Sequence, residues 1–128
     1  MAGARVIIYQ KPTCTTCRTV MRLLREGGID YEAVDYTLDP IPREKLVELL
    51  RKMGATPRAL LRTRERAFTD LGLDRPEVTD DEILDAMVAH PELVQRPIIE
   101  RGDRAVLARP PERVWELLQP GASTATQP

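Results

Sequence analysis

The chain contains few residues of the types whose abundance would indicate a function. Its 128 residues include two cysteines, one histidine and one tryptophan, and aromatic residues make up only 4%. Two cysteines and one histidine supply three of the four ligands that a structural zinc site needs, so we expect no metal site. The formal net charge of −1 excludes the overall basic footprint of a nucleic-acid-binding domain. An anion site would therefore have to come from local clustering of arginines.

Long apolar stretches are also missing. The sequence has no run of about 18 apolar residues and therefore predicts no membrane span. The segment MAGARVIIYQ lacks a signal-peptide apolar region of adequate length, so we expect a cytoplasmic protein whose thiols are kept reduced. A length of 128 residues is about one domain and can bury a core without a disulfide or a metal.

The first part of the chain has the pattern of an α/β fold. Residues 5–9 and 31–36 predict strands, because β-branched and apolar side chains recur in them. Between them, helical spacing begins at about Thr15 and stops at Gly27 and Gly28. A strand, a helix and a strand within about thirty residues form a βαβ unit with parallel pairing.

The last part of the chain predicts two more strands and a helix. Residues 97–108 predict a hairpin, because Gly102 and Asp103 suit a two-residue turn with glycine first. Residues 110–118 predict a terminal helix that opens with proline.

Helices are predicted between these two parts. One runs from Pro42 to Met53, and residues 56–68 predict a further short helix rich in arginine. Thr79 and Glu82 have the spacing of a capping box, which predicts the start of another helix.

Without this central block the order is βαβ–ββα, which is the thioredoxin arrangement. The sequence therefore predicts an α/β, thioredoxin-like fold with a helical insertion at about 42–91. We expect residues 1–119 to form a single domain. The tail at 120–128 is rich in proline, glycine and serine, which predicts disorder.

The two cysteines lie three positions apart in KPTCTTCRTV, where the first strand is predicted to lead into the helix. Free backbone N–H groups at a helix N-terminus stabilise a thiolate and lower its pKa, and Lys11 and Arg18 add positive charge. Because the thiolate is the reactive form, Cys14 is the candidate nucleophile. Cys17 lies one helical turn further on. It is either a resolving thiol or a buried and inert cysteine, and the sequence leaves both interpretations open.

Other polar or aromatic residues favour structural roles. His90 precedes Pro91 at the end of a predicted helix, which its side chain would stabilise. The acidic residues 80–82 indicate charge in the first turn of that helix and not a metal site. Trp115 lies on the apolar face of the last predicted helix and is expected in the core.

Five segments of the chain carry a family resemblance: YQKPTCTTCRTVMRLL, MGATPRALLRTRE, FTDLGL, TDDEILDAMVAHPELVQRPII and LARPPERVWELL. They resemble the ArsC-type arsenate reductases of the glutaredoxin-coupled class, and the similarity runs from about residue 5 to residue 119. In that family a thioredoxin-like core carries a helical insertion, in agreement with the order described above. The resemblance implies that the chain reduces arsenate to arsenite in arsenic detoxification.

The resemblance also assigns the site residues. The nucleophilic cysteine of the family falls on Cys14. Its three oxyanion-binding arginines fall on Arg62 of ALLR, Arg96 of VQRPI and Arg109 of LARP, and its cis-proline falls on Pro97. Guanidinium groups suit this role, because they pair with two oxygens at once and keep their charge at neutral pH.

The implied reaction needs no bound cofactor, only an external thiol reductant. The Cys14 thiolate attacks arsenic and forms a thiolate–arsenate adduct, and a second thiol then drives reduction and leaves Cys14 in a disulfide. Glutathione with glutaredoxin is the family's donor. Attack by Cys17, with regeneration by thioredoxin, is the alternative. We expect a monomer whose partners are arsenate and glutaredoxin or thioredoxin, with no nucleic acid and no membrane partner.

Two departures from the family pattern keep other functions open. Gln10 stands where many members have a histidine that helps to lower the cysteine pKa. Cys17 stands where the glutaredoxin-coupled reductases usually have serine, and a cysteine there is typical of Spx-like redox-sensing transcription regulators, which bind RNA polymerase. The LARP context of Arg109 favours the reductases. A thiol oxidoreductase with another substrate is the remaining alternative.

Overall fold

Strand β1 leads directly into the helix that carries the two cysteines. In the computed structural model, which describes residues 5–118, β1 (Val6–Gln10) is followed by helix α1 (Thr15–Glu26) and strand β2 (Glu32–Asp35). β1 and β2 pair in parallel, which requires a crossover connection such as α1. The predicted βαβ unit is confirmed, with strand and helix bounds within one or two residues of the prediction.

The ends of α1 follow from local chemistry. Cys14 is its N-cap, and its side chain accepts a hydrogen bond from a backbone N–H of the first turn. Gly27 ends the helix, and Gly28 follows with a φ of +73°, in the left-handed region that favours glycine. The apolar face of the helix buries Val20 and Leu24.

A hairpin completes the sheet, as predicted. Strands β3 (Ile98–Arg101) and β4 (Arg104–Leu107) are antiparallel, and β3 also pairs antiparallel with β1. The two-residue turn between them depends on Gly102, whose φ is +60°. The strand order is β2-β1-β3-β4, which is the βαβ–ββα arrangement that the sequence predicts.

The terminal helix differs from the prediction. Residues 111–116 form a 3₁₀ helix instead of an α-helix. Pro110 and Pro111 have no N–H group, and a segment this short has few bonds with which to establish α-helical geometry. Its apolar side still packs on the core. The cluster consists of Val6, Ile8, Val20, Leu24, Ile29, Ile99, Val106, Ala108, Val114, Leu117 and Leu118, and Trp115 packs against it half-buried.

Residues 36–95 form a second compact unit, distinct from the unit that contains residues 5–35 and 96–118. Its elements are α2 (Arg43–Met53), α3 (Pro57–Leu60), α4 (Arg66–Asp70), α5 (Asp80–Ala89) and a 3₁₀ helix (Pro91–Leu93). The capping box at the start of α5 is confirmed, with both of its reciprocal hydrogen bonds formed.

One helix prediction in this unit is wrong. Residues 56–68 do not form a single helix, because α3 ends before Leu61, which makes an antiparallel bridge with Val94. A β-bridge requires extended backbone, so the helical pattern is interrupted there. The second short helix, α4, begins only at Arg66.

The domain assignment stays a prediction. A single domain over residues 1–119 with an insertion at about 42–91 is tested by no observation on this chain. The tail at 120–128 lies outside the described residues. Within residues 5–118, no helix combines the length and the apolar character that crossing a membrane requires.

Candidate active site

Cys14 lies at the N-terminus of α1, as predicted. The backbone N–H of Cys14 donates to the carbonyl of Lys11 at 2.9 Å, which closes a turn between β1 and α1. The Cys14 Sγ in turn accepts a hydrogen bond from the backbone N–H of Cys17 at 3.4 Å. Both cysteines are free thiols. The sulfur of Cys14 thus accepts from an N–H group of the first helical turn, which has no partner within the helix, and the helix dipole favours negative charge at this end.

The surroundings of Cys14 favour its ionised form. Partial burial acts to raise its pKa, but hydrogen bonds from the backbone N–H and the side chain of Cys17, together with the hydrogen bond and positive charge of Arg96, outweigh it. The pKa of Cys14 is therefore lowered from its ordinary value of 9.0. A lowered pKa increases the fraction of nucleophilic thiolate at neutral pH.

Arg96 is the cation that acts on this sulfur. Its side chain is buried, with only 6% of the residue exposed. A buried guanidinium requires hydrogen bonds and a compensating charge, and the Cys14 thiolate is one such partner. The peptide bond from Arg96 to Pro97 is cis, as the resemblance implies for Pro97.

Arg109 is joined to Arg96 through the backbone. One Nη of Arg109 donates to the carbonyl oxygen of Arg96 at 3.0 Å. Arg109 is half-buried. The structure therefore brings together four of the residues singled out in the sequence, which are Cys14, Cys17, Arg96 and Arg109.

Arg62 belongs to the unit formed by residues 36–95. Its backbone N–H donates to the carbonyl of Leu93 at 2.7 Å, next to the bridge that interrupts the helix prediction. Its Nε donates to Oε2 of Glu65 at 2.9 Å, and 16% of the Arg62 side chain is exposed. Glu65 was not among the candidate residues predicted from the sequence. The i,i+3 spacing of an acid and a base in RTRE was the available signal.

Cys17 is enclosed by the protein. Its exposure is 0%, and this burial is the largest contribution that raises the pKa of Cys17 to about 12. The backbone hydrogen bond of Lys11 lowers the value, but the neighbouring Cys14 raises it further. Cys17 is therefore a neutral thiol at physiological pH, and in this form its S–H group can donate to the Cys14 thiolate.

Gln10 is the last residue of β1, and only 5% of it is exposed. Among the residues that the structure describes, no group donates a hydrogen bond to its buried Oε1. Buried acceptors of this kind are rare. Gln10 departs from the family pattern, but the residues around it in sequence give no sign of this burial.

Residues 5–118 contain no candidate metal-binding cluster. Nowhere in this part of the chain do three or more histidine, cysteine, aspartate or glutamate side chains lie close enough together to hold an ion.

The sequence matches a known protein family. The model of the ArsC family matches residues 9–117 of the chain. The chain belongs to the ArsC family. This ArsC-family protein is 36% identical to an arsenate reductase of Acidiphilium multivorum over 115 residues, which are 90% of this chain and 82% of that relative. It is also 34% identical over 115 residues to the uncharacterized protein YfgD of Escherichia coli K12, covering 89% of this chain and 97% of YfgD.

Solved structures agree with the family. The arsenate reductase from Vibrio cholerae superposes with a TM-score of 0.86 and 33% identity, covering 91% of this chain and 99% of that one. ArsC arsenate reductases have a thioredoxin-like fold, and the predicted fold class is thereby confirmed. The comparisons favour the reductases over the Spx-like regulators that Cys17 brought into consideration.

Proposed function

We propose that this ArsC-family protein is an arsenate reductase whose nucleophile is the thiolate of Cys14. The observation that carries the proposal is the position of this sulfur at the N-terminus of α1, bonded to the backbone N–H of Cys17 and to the buried guanidinium of Arg96. The arsenate reductases among its relatives support arsenate as the substrate.

The first step forms a bond between sulfur and arsenic. A lone pair of the Cys14 thiolate attacks arsenic(V), and the bond from arsenic to one hydroxyl group breaks as that hydroxyl takes up a proton from solvent and leaves as water. Negative charge on the remaining oxygens is stabilised by donors aimed at them. The N-terminus of α1 supplies backbone N–H groups for this purpose.

Arg62, Arg96 and Arg109 are proposed to bind the oxyanion. For Arg96 the supporting observation is its contact with Cys14, and for Arg109 it is the bond to the carbonyl of Arg96. For Arg62 the support is its place in the ALLR motif that resembles the reductases. Planar guanidinium groups match pairs of arsenate oxygens better than lysines do.

The second step transfers two electrons to arsenic. An external thiolate attacks the sulfur of Cys14, the electrons of the sulfur–arsenic bond pass to arsenic, and arsenite leaves as arsenic(III). Cys14 is then in a mixed disulfide, which another thiol reduces. The supply of an external thiol reductant is part of the proposal, and no bound cofactor is needed.

We favour glutathione and glutaredoxin as the donors. A thiol with a pKa of about 12 and 0% exposure has very little thiolate at neutral pH, which argues against Cys17 as the attacking group. The contact between the two cysteine side chains is the one observation that favours the alternative, in which Cys17 attacks Cys14 and thioredoxin reduces the pair. The proposal includes a cytoplasmic monomer, since one chain carries the nucleophile and all three arginines.

A coupled assay tests the reaction and the donor. The purified protein is given arsenate with either glutathione and glutaredoxin or thioredoxin and its reductase, and NADPH consumption is followed. We expect turnover with glutaredoxin, loss of turnover in Cys14→Ser, and retention of most turnover in Cys17→Ser. No arsenate-dependent NADPH consumption in either system would refute the reductase. Thioredoxin-dependent turnover that disappears in Cys17→Ser would instead assign the resolving role to Cys17.

A further inference from the structure

The buried Oε1 of Gln10 has no hydrogen-bond donor among residues 5–118. Gln10 is 5% exposed, and within residues 5–118 no group donates to its Oε1. A buried carbonyl oxygen without a hydrogen bond destabilises a fold, so such groups usually serve a water or a ligand. The question is which donor reaches this oxygen.

The order of β1 and α1 places Gln10 near the start of the helix that carries Cys14. Side chains alternate along a strand, so Gln10 shares its face of β1 with Val6 and Ile8, which pack against Val20 and Leu24 of α1. β1 leads into α1 through the turn that ends at Cys14. The carboxamide therefore lies on the side of the sheet that α1 covers, at the end where that helix begins.

The pairing of β1 with β3 places the segment that contains Arg96 next to Gln10. Tyr9 pairs with Ile98 in the antiparallel ladder, so the next residue of β1, Gln10, comes opposite Pro97. Arg96 precedes Pro97 in sequence and acts on Cys14. Gln10 thus lies between the beginning of α1 and the segment that supplies the buried guanidinium.

Every other group assigned to the oxyanion is a hydrogen-bond donor. Guanidinium groups and backbone N–H groups have no acceptor atom to offer. Arsenate at neutral pH still carries at least one protonated oxygen, and the hydrogen of that oxygen needs an acceptor. A site built from donors alone would leave it unpaired, at a loss of binding.

We propose that Gln10 accepts a hydrogen bond from the protonated oxygen of the bound oxyanion and so selects hydrogen-bearing tetrahedral anions over fully deprotonated ones. Arsenate and phosphate belong to the first class, and sulfate belongs to the second. The inference rests on the proposed function in one respect only, which is that the oxyanion binds next to Cys14.

The test compares two anions of similar shape and charge. Phosphate and sulfate are titrated separately, at constant ionic strength, and the affinity of each is read from the protection of Cys14 against alkylation by iodoacetamide. We expect the parent protein to bind phosphate more tightly than sulfate. In Gln10→Met, which has similar length but no comparable acceptor, phosphate affinity should fall about tenfold and sulfate affinity should stay within about twofold.

Further variants separate this role from a disturbance of the core. Gln10→Glu keeps an acceptor but adds a negative charge. It should lower the affinity for both anions while preserving the preference for phosphate. Gln10→Leu is a second apolar variant, in case Gln10→Met does not fold. Ile8→Val, on the same face of β1, is the matched control and should leave the ratio of the two affinities unchanged.

Three results would overturn the proposal. The first is that the parent protein binds sulfate as tightly as phosphate, and it can be established without a variant. The second is that both apolar variants lose affinity for the two anions equally. The third is that they change neither affinity, in which case the acceptor serves only a bound water. Failure of the proposed function is a different result, since it is absence of arsenate turnover and leaves the anion preference measurable.

Discussion

The side chain of Arg109 donates a hydrogen bond to the backbone carbonyl oxygen of Arg96, with 3.0 Å between the two atoms. Arg96 in turn acts through its side chain on the sulfur of Cys14. The three residues therefore form a chain of contacts in which Arg109 holds the backbone of the residue that stabilises the thiolate. A guanidinium has several N–H groups, so one can bind this carbonyl while others remain for an anion.

Replacement of Arg109 by lysine should weaken arsenate binding, because lysine cannot bind the carbonyl of Arg96 and the anion in the same way. A single ammonium cannot bind the carbonyl of Arg96 and form a planar pair of bonds to an anion. We expect the KM for arsenate to rise about tenfold in Arg109→Lys, which is the effect of losing one charged hydrogen bond. Steady-state kinetics measure this, with Arg113→Lys as the control because Arg113 pairs with the exposed Glu116. An equal rise in both variants would contradict the assignment.

Replacement of Arg96 by methionine should raise the pKa of Cys14. The variant keeps much of the buried side-chain volume and removes the hydrogen bond and the charge that lower this pKa. The rate of alkylation at neutral pH should then fall with the fraction of thiolate, by at most about tenfold for each unit by which the pKa rises. The pH dependence of the ultraviolet absorbance of the thiolate gives the pKa directly. An unchanged value would show that the backbone N–H of Cys17 suffices alone.

The two cysteines should link stability to pH in opposite directions. The folded pKa of Cys14 is lowered from 9.0, so its contribution to stability is complete above pH 9.0 and is lost as pH falls through the folded pKa. The folded pKa of Cys17 is raised to about 12, so its contribution decreases as pH rises from 9.0 toward about 12. Urea unfolding of the parent and of Cys14→Ser should therefore give a difference in free energy that grows in favour of the parent up to pH 9.0. A difference that does not depend on pH would refute the lowered pKa.

Replacement of Gln10 by methionine should stabilise the fold in the absence of an anion. The buried Oε1 has no donor within the described part of the chain, and removal of an unsatisfied acceptor should raise the free energy of unfolding by about 1 kcal/mol. Urea denaturation in a buffer without phosphate, sulfate or arsenate measures the change. A loss of stability in Gln10→Met, with Ile8→Val measured alongside, would indicate that the oxygen already has a partner.

Removal of the Glu65 carboxylate should leave the side chain of Arg62 less ordered and so weaken arsenate binding. The carboxylate binds Nε of Arg62 at 2.9 Å in a partly buried pair, which leaves the Nη groups for an anion. We expect the KM for arsenate to rise about threefold in Glu65→Ala, because an ion pair of this exposure contributes modestly. Glu65→Gln retains an acceptor and should stay near the parent. A fall in KM in both variants would instead mean that Glu65 competes with the anion for Arg62.

The features that the sequence predicted correctly are local in origin. α1, its capping residue Cys14 and its terminal glycines can be inferred from neighbouring residues, because helix caps act over one turn. The two-residue turn at Gly102 is local in the same sense. The assignment of Arg62, Arg96 and Arg109 to oxyanion binding came from the family resemblance instead, and it stays a proposal.

The features that the sequence did not reveal depend on contacts between distant segments. Lys11 and Arg18 are the charges nearest to Cys14 in sequence, but the buried guanidinium that acts on it belongs to Arg96. Residues 56–68 have a helical pattern, and the bridge from Leu61 to Val94 breaks it at a point that propensity does not indicate.

The hairpin turn offers a place to modify the protein away from its chemistry. Gly102 and Asp103 are exposed and follow β3, whose other end adjoins Pro97. Four strand residues at about 3.4 Å each separate the two ends of β3 by about 10 Å or more. A fluorescent label attached to the side chain at position 103 would leave the two-residue turn and the sheet register intact and give a means to follow the enzyme while it works.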